Sequence, residues 1–445
     1  MENNDIFGGK SIPKTYIKFA LPVVFTMVIA LVYNLADTFF IAQTGDINLV
    51  AGVSICVPII TLLMAFGNIY GQGGSSIIAR LLGAGKNEDA KRVSSFCWYI
   101  AILTGVVIGA LLVIFQNPVL KLLGASDATI NYARDYYLIL AISAPLNILT
   151  FIHSNLLRSE GMAFQAMIGS VSGSILNIIL DPIFISVFGW GAKGAAFATA
   201  LGYLCSDIIF AYVVLRKSRV LSISPKLIKI TKEYCGQIFG IGIPAAITNL
   251  MSSIAQILVN QFLLPYGDDR IGAMGIAMKV SMIVMLIVVG FSFGGAPLYG
   301  FLYGSGDKAK LNKLIRFAVT LLCSVALVLS ALIIIFAKPI MSIFMDNANM
   351  IAIGVPMIRL QVVCMVFMAI VQVIQVIFQS TGKILGSFVL SISRQGFVFF
   401  IAIAVMSFMF KYNGVIAAQA ASDVLSAVLA VWLFFMYFVK KKHEK

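Results

Sequence analysis

Residues 100–115, 317–337, 397–410 and 424–439 each form an apolar block with almost no charge. Blocks of this kind constrain the fold more than any other feature of the chain. In hydrocarbon every backbone N–H and C=O must be paired within the protein, and about 20 apolar residues wound as a helix cross a bilayer. A spanning β-strand would instead alternate apolar and polar residues over about 10 positions, and these blocks do not alternate. Only 11% of the 445 residues are charged and 60% are hydrophobic, whereas a soluble domain carries about 25% charged residues. The expected fold class is therefore an all-α polytopic membrane protein.

Polar, Gly and Pro breaks divide the chain into twelve spans. They lie near 15–42, 51–78, 94–115, 133–157, 164–188 and 194–215, then near 235–263, 273–303, 316–336, 350–380, 386–410 and 414–438. These limits predict an N-terminal six-helix lobe (1–215), a linker (216–234) and a C-terminal six-helix lobe (235–445). No stretch has room for a separate soluble domain, and no GxxxxGK[ST] sequence occurs. The first apolar run passes into a full span without a small-residue cleavage site, so a cleavable signal peptide is not expected. The six cysteines are scattered, without metal spacing, and read as small buried hydrophobes.

Lys and Arg sort by loop. The N-terminus, the even-numbered loops and the C-terminal tail hold 23 of the 32, including Arg80, Lys86, Arg216, Lys217, Lys308 and Lys440 to Lys442. The opposite loops hold Lys121, Arg134, Lys193, Arg270, Lys338 and Lys411. The positive-inside rule places both termini in the cytoplasm. The net charge of +14 is then mostly an orientation signal, and no basic face is left over to bind nucleic acid.

The two halves repeat at an offset of about 221 residues. Pro22 pairs with Pro244, and Gly-Asp at 45–46 with Gly-Asp at 267–268. Gly73, Gly74, Gly83 and Gly85 pair with Gly294, Gly295, Gly304 and Gly306. Pro118 pairs with Pro339, and Gly194 with Gly414. An even number of spans per half makes the repeats parallel, related by a pseudo-twofold axis along the membrane normal. Repeats of this kind bind substrate between the halves and rock around it, which points to a transporter.

Several stretches carry a resemblance: Asn34-Leu-Ala-Asp37-Thr-Phe-Phe, Gly83-Ala-Gly-Lys, Arg158-Ser-Glu-Gly161, Asn177-Ile-Ile-Leu-Asp181-Pro182, Gly194-Ala-Ala-Phe-Ala-Thr199 and Arg394-Gln395. Together they make the chain resemble the multidrug and toxic compound extrusion (MATE) family over nearly its whole length. The resemblance is to the bacterial DinF-like branch, because the acids that mark spans 7 and 10 of the NorM-type branch are missing. It implies a secondary active exporter of amphipathic, often cationic organic compounds, driven by protons or sodium ions. It implies no cofactor, a monomer in a bacterial plasma membrane, and no enzymatic activity. The rival readings are a lipid-linked precursor flippase of the same wider superfamily and, in another class, a membrane-embedded enzyme. The first usually shows fourteen spans or a strongly basic cavity. The second needs a nucleophile–base or metal constellation that two histidines do not supply.

Four carboxylates fall inside spans: Asp37, Asp181, Asp207 and Asp423. A charged group there costs several kcal/mol and is a functional candidate by default. Asp37 lies about five residues before the outer end of span 1, Asp181 about eight before that of span 5, and Thr199 about five into span 6. Asn177 shares a face with Asp181 at i, i+4 spacing. The four sit at similar depth, and the resemblance assigns them to the cation site. Two carboxylates, an amide and a hydroxyl form a hard oxygen set for a small cation. Held close and away from water, like charges repel, so the pair could carry a proton instead. Tyr33 and Asn34 could line the same cavity. Pro22 and Pro182 remove helix hydrogen bonds and are candidate gating prolines, a role the resemblance implies for the span-1 proline.

The C-terminal half is richer in amides. Asn249, Ser253, Gln256 and Asn260 share a face of span 7, and Gln361, Gln372, Gln375 and Gln379 a stripe of span 10. The amides are expected to line a central cavity, the alternative being interhelical hydrogen bonds; Met278 and Met282 of span 8 suit such a cavity or ordinary packing. Polar packing or a water pocket is expected for Asp207 and Asp423, an interfacial position for His153, and snorkelling for Arg394.

Overall fold

The computed structural model describes residues 11–344 and 347–439. The basic tail Lys440 to Lys442 and the first ten residues lie outside the described residues. Those described are helical almost throughout, and none of them forms a strand.

Span 1 is a helix over Ile12–Ala42 with proline in its first turn, where the missing N–H would have had no intrahelical partner. Pro22 lies inside the helix without breaking it, and the Thr26 hydroxyl donates to the Pro22 carbonyl. Span 7 repeats the arrangement, with Thr248 donating to the Pro244 carbonyl. Span 2 covers Ile47–Gly83. It starts earlier than the apolar run because Asp46 caps it, accepting from the N–H groups of Asn48 and Leu49. Spans 3 (Asn87–Ile114) and 9 (Lys308–Ile335) likewise begin in charged turns ahead of their apolar blocks. Spans 5, 6 and 8 are Ala163–Val187, Gly191–Arg216 and Asp269–Gly304.

Two spans are broken. Span 4 is a pair of helices, Ile130–Ile142 and Ala144–Ser159, bent by 53° just ahead of Pro145, whose missing N–H frees the turn. Span 10 joins Ala348–Val363 to Met365–Ser380 at Cys364. The last helical run, Ile384–Phe438, has 55 residues. Drawn straight it would reach about 80 Å, far beyond a hydrocarbon core of about 30 Å. It reverses at Lys411, whose φ of 51° and ψ of −128° are not helical. A Cβ at Gly414 would stand 1.8 Å from the Met406 carbonyl oxygen, so the chain turns back upon itself there. This reversal makes spans 11 and 12 and brings the total among the described residues to twelve.

The halves meet through spans 1 and 8 and through spans 2 and 7. Close approach is confined to the end of the bundle where spans 1 and 7 begin. A Cβ on Gly83 would lie 2.0 Å from the Phe301 oxygen, and one on Gly304 2.1 Å from the Arg80 oxygen. Gly73 and Gly242 make equally close contacts across spans 2 and 7. Larger residues would hold these backbones apart. Toward the opposite end, Asn34, Ser253 and Gln256 are exposed. The linker between spans 6 and 7 lies on the first six helices. Glu160 accepts from the N–H groups of Arg219 (2.8 Å) and Val220 (3.0 Å), and Tyr99 donates to the Ile223 carbonyl at 3.1 Å.

Candidate cation site

Three pairs of side chains, each one helical turn apart, converge between spans 1, 5 and 6: Tyr33 with Asp37, Asn177 with Asp181, and Thr199 with Tyr203. Spacing of four residues puts each pair on one face. What brings the faces together is a glycine crossing. A Cβ on Gly173 would stand 2.4 Å from the Gly202 oxygen, and one on Gly202 2.8 Å from the Gly173 oxygen. With no side chains between them, spans 5 and 6 approach closely enough for Asn177 to reach Thr199.

Asn177, Asp181 and Thr199 are 2%, 0% and 3% exposed. The Asn177 amide has one chemically sensible orientation. Its nitrogen donates to Asp181 Oδ2 at 3.1 Å, while its oxygen accepts from the Thr199 N–H at 3.0 Å and hydroxyl at 3.3 Å. Asp37 is half-buried, and its Oδ1 is shut from solvent with no hydrogen-bond partner. It lies near enough to act electrostatically on Asp181, Tyr136 and Tyr203. The Tyr33 side chain lies near Thr199 and Tyr203. Tyr136 and Tyr203 were not expected from the sequence. Tyr203 was findable, one turn beyond Thr199, whereas Tyr136 directly follows Arg134 and Asp135 near the start of span 4, and no spacing relates it to the other site residues.

An orphaned carboxylate oxygen beside a second carboxylate is an acceptor surplus that a proton or a small hard cation would fill. Among the described residues no group of three His, Cys, Asp or Glu side chains forms a metal site. Pro182 ends the regular helix of span 5, which continues as a π-helix over Ile183–Val187. Asn34 is exposed, and its amide donates to the Ala30 carbonyl of its own helix.

Several other expectations need correction. His153 is not interfacial: it is 3% exposed and held between Trp98 and Asp207. An indole N–H only donates, so His153 Nε2 accepts at 2.9 Å and Nδ1 carries the proton toward Asp207 Oδ1 at 3.3 Å. Arg394 does not snorkel. Its Nε donates to Asp423 Oδ1 at 2.7 Å, an atom that also accepts from Gln419 at 3.0 Å. The second half therefore does bury an acid, paired with an internal cation. The span-10 stripe does not face one cavity. Gln361 donates to the Met274 sulfur, and Gln375 to Ser391 on span 11 at 3.0 Å. Gln372 is half-buried. On span 7, Asn249 and Asn260 are half-buried, while Ser253 and Gln256 are exposed. The Gln256 amide donates to the sulfur of half-buried Met278 at 2.8 Å, and Met282 is 40% exposed.

The model of the MatE family matches residues 22–183 and again 244–406. The chain belongs to the MatE family. The double match begins on the paired prolines Pro22 and Pro244 and marks the two repeats of this MATE chain. Among its relatives is the multidrug export protein MepA of Staphylococcus saprophyticus subsp. saprophyticus, 28% identical over 430 residues, covering 97% of this chain and 95% of the relative. MepA of Staphylococcus haemolyticus is 29% identical over 429 residues, covering 96% and 94%. A solved structure described as the outward-facing conformation of a multidrug resistance MATE family transporter of the MOP superfamily superposes with a TM-score of 0.90. It is 24% identical, with 98% of each chain covered. The MATE fold, as two parallel six-helix repeats in a multi-pass membrane protein, follows from these matches.

Proposed function

We propose that this MATE chain is a secondary active multidrug exporter that exchanges amphipathic organic compounds for protons or sodium ions by alternating access. The observation that carries the reading is the unpartnered Oδ1 of Asp37 beside the Asp181–Asn177–Thr199 cluster. The names of the MepA relatives support the export of drugs. Loop charges support the orientation: the end closed by Gly83 and Gly304 faces the cytoplasm of a bacterium, with both termini there. The conformation is then closed inside and open outside.

In this scheme the lobes 1–215 and 235–445 rock about their contact, joined by the linker 216–234. An external cation enters between Asp37 and Asp181, drawing span 1 toward span 5 and changing the shape of the cavity. Substrate leaves outward, the lobes rock inward, and the cation is released to the cytoplasm. The cation drives this cycle because it binds the two states with different affinity. Pro22 and Pro182 supply the points where helix hydrogen bonding is already interrupted. No cofactor takes part, and one copy of the chain suffices.

Ethidium efflux from cells lacking their own exporters tests the proposal. Expression of the wild-type chain is expected to accelerate efflux, and Asp37→Asn or Asp181→Asn to abolish the acceleration. Undiminished efflux in both variants would overturn the coupling role.

A further inference from the structure

The first half buries another carboxylate, one that takes no part in the exchange cycle. Asp207 of span 6 is 7% exposed. Its Oδ1 faces His153 Nδ1, and its Oδ2 is shut from solvent without a hydrogen-bond partner. Polar groups connect this carboxylate to the cation cluster. Thr199, Tyr203 and Asp207 follow one another at i, i+4 spacing on span 6. The second helix of span 4, Ala144–Ser159, packs against span 6 and brings Asn147, Thr150 and His153 to the same side. Asn147 lies near Tyr203. The Thr150 hydroxyl donates to the Tyr203 carbonyl at 3.5 Å, and His153 meets Asp207 at 3.3 Å. These six residues form a polar seam between the two helices. It runs from Thr199 toward the closed end of the bundle for eight residues of span 6, or about 12 Å.

The members of the seam do not satisfy one another. Asn147 is 1% exposed, and both of its amide atoms are buried without a partner. Polar atoms left in this way are costly, and water that bridges two or more of them is the usual remedy. A file of carboxylate, imidazole, hydroxyl and water inside a membrane is what proton relays are built from. The seam also has a defined inner end. Trp98 of span 3 donates to His153 Nε2 at 2.9 Å, which fixes the imidazole proton on Nδ1 and aims it at Asp207 Oδ1. The Phe210 ring lies 5.9 Å from the imidazole. His153 thus donates to Asp207, and Oδ2 is the oxygen of the pair left open to a proton.

We propose that Asp207 is a second proton acceptor of the exporter: a proton taken up at the Asp37–Asp181 cluster passes along the seam between spans 4 and 6 to Asp207 Oδ2, on its way to the closed end of the bundle. One O–H bond breaks at the cluster and one forms at Oδ2. The cluster regains its negative charge, Asp207 loses its own, and nothing is oxidised or reduced. His153 is a positioning residue that holds Oδ1 and leaves Oδ2 free. The inference rests on proton coupling through Asp37 and Asp181 and adds the route inward.

The purified full chain in proteoliposomes separates the steps. Net ethidium transport driven by a pH gradient needs the proton to cross, whereas exchange of internal for external ethidium at equal pH does not. Asp207→Asn is expected to slow driven transport by about tenfold or more and exchange by less than about threefold. Asp207→Glu should restore the driven rate. Asn147→Leu interrupts the seam, leaves every carboxylate in place and removes an unpartnered amide, so it serves where Asp207→Asn does not fold. It should show the same split between the two rates. Equal slowing of both rates in Asn147→Leu, or no slowing of either, overturns the route. So does a wild-type driven rate in Asp207→Asn, or a wild-type chain that no pH gradient drives. Asp37→Asn measured alongside keeps the two readings apart. Drive lost there but kept in Asp207→Asn refutes the seam alone, whereas drive kept in Asp37→Asn refutes the coupling cluster itself.

Discussion

The Arg394–Asp423 pair offers the most quantitative test of how the second half is built. Asp423 is 0% exposed, and its Oδ1 accepts from Arg394 at 2.7 Å and from Gln419 at 3.0 Å. Its Oδ2 is buried without a partner. Replacing Arg394 with Met leaves a buried carboxylate with one neutral donor. Breaking a buried pair from one side costs about 3–5 kcal/mol, and removing both partners together is often close to neutral. The remaining Gln419 bond and the 14% exposure of the arginine side chain place Arg394→Met toward the lower end, about 3 kcal/mol. Asp423→Leu should cost a similar amount, because it strands the guanidinium. The double variant should lie within about 1 kcal/mol of wild type, so the coupling energy of the cycle should exceed about 2 kcal/mol. Unfolding in mixed micelles by increasing SDS, followed by far-UV circular dichroism, measures each term. Single variants within about 0.5 kcal/mol of wild type, the range of ordinary surface substitutions, would refute the reasoning.

Three further outcomes follow from the geometry. Ala at Gly83 or Gly304 would place a methyl about 2 Å from a backbone oxygen of the facing helix, so each is expected to wedge the closed end apart at a cost of about 1–3 kcal/mol. Faster thiol labelling of Ser76→Cys in that background is the readout, and unchanged labelling would count against the closure described. Glu160→Ala removes the acceptor for three linker donors. Proteolysis between 217 and 224 should rise at least tenfold, whereas wild-type resistance would mean the linker is held elsewhere. Asp46 accepts from the Tyr132 hydroxyl and two backbone N–H groups, which hold its carboxyl below the usual range. Its cap is therefore complete above the ordinary value near 3.9 and fades only as pH falls through the lower folded value. Amide protection over 47–55, corrected for intrinsic exchange, should be unchanged between about pH 7 and pH 5, and a loss within that window would contradict the assignment.

The sequence revealed the spans because hydrophobicity is carried by every residue of a helix and survives errors of a turn at either end. The ends themselves were less legible. Asp46 and Asp307 start helices outside the apolar runs, and capping acts on a few backbone groups that a hydropathy window averages away. The convergence of Asn177, Asp181 and Thr199 was readable from depth and i, i+4 spacing, since both are properties of single helices. Pairings between helices were not. Arg394 and Asp423 stand 29 residues apart, and no periodicity relates them. His153 was misplaced because its partners, Trp98 and Asp207, come from two other spans. Likewise the amides of span 10 share a stripe, but a break at Cys364 and the proximity of span 11 decide what each one meets.

The central claim is that cation movement is coupled to export through Asp37 and Asp181. Ethidium transport by the purified chain in proteoliposomes, with a pH gradient or a sodium gradient imposed separately, tests it most directly. The account predicts that at least one gradient drives wild-type transport and that neither drives it in Asp37→Asn or Asp181→Asn. Gradient-driven transport of wild-type rate in those variants would contradict it.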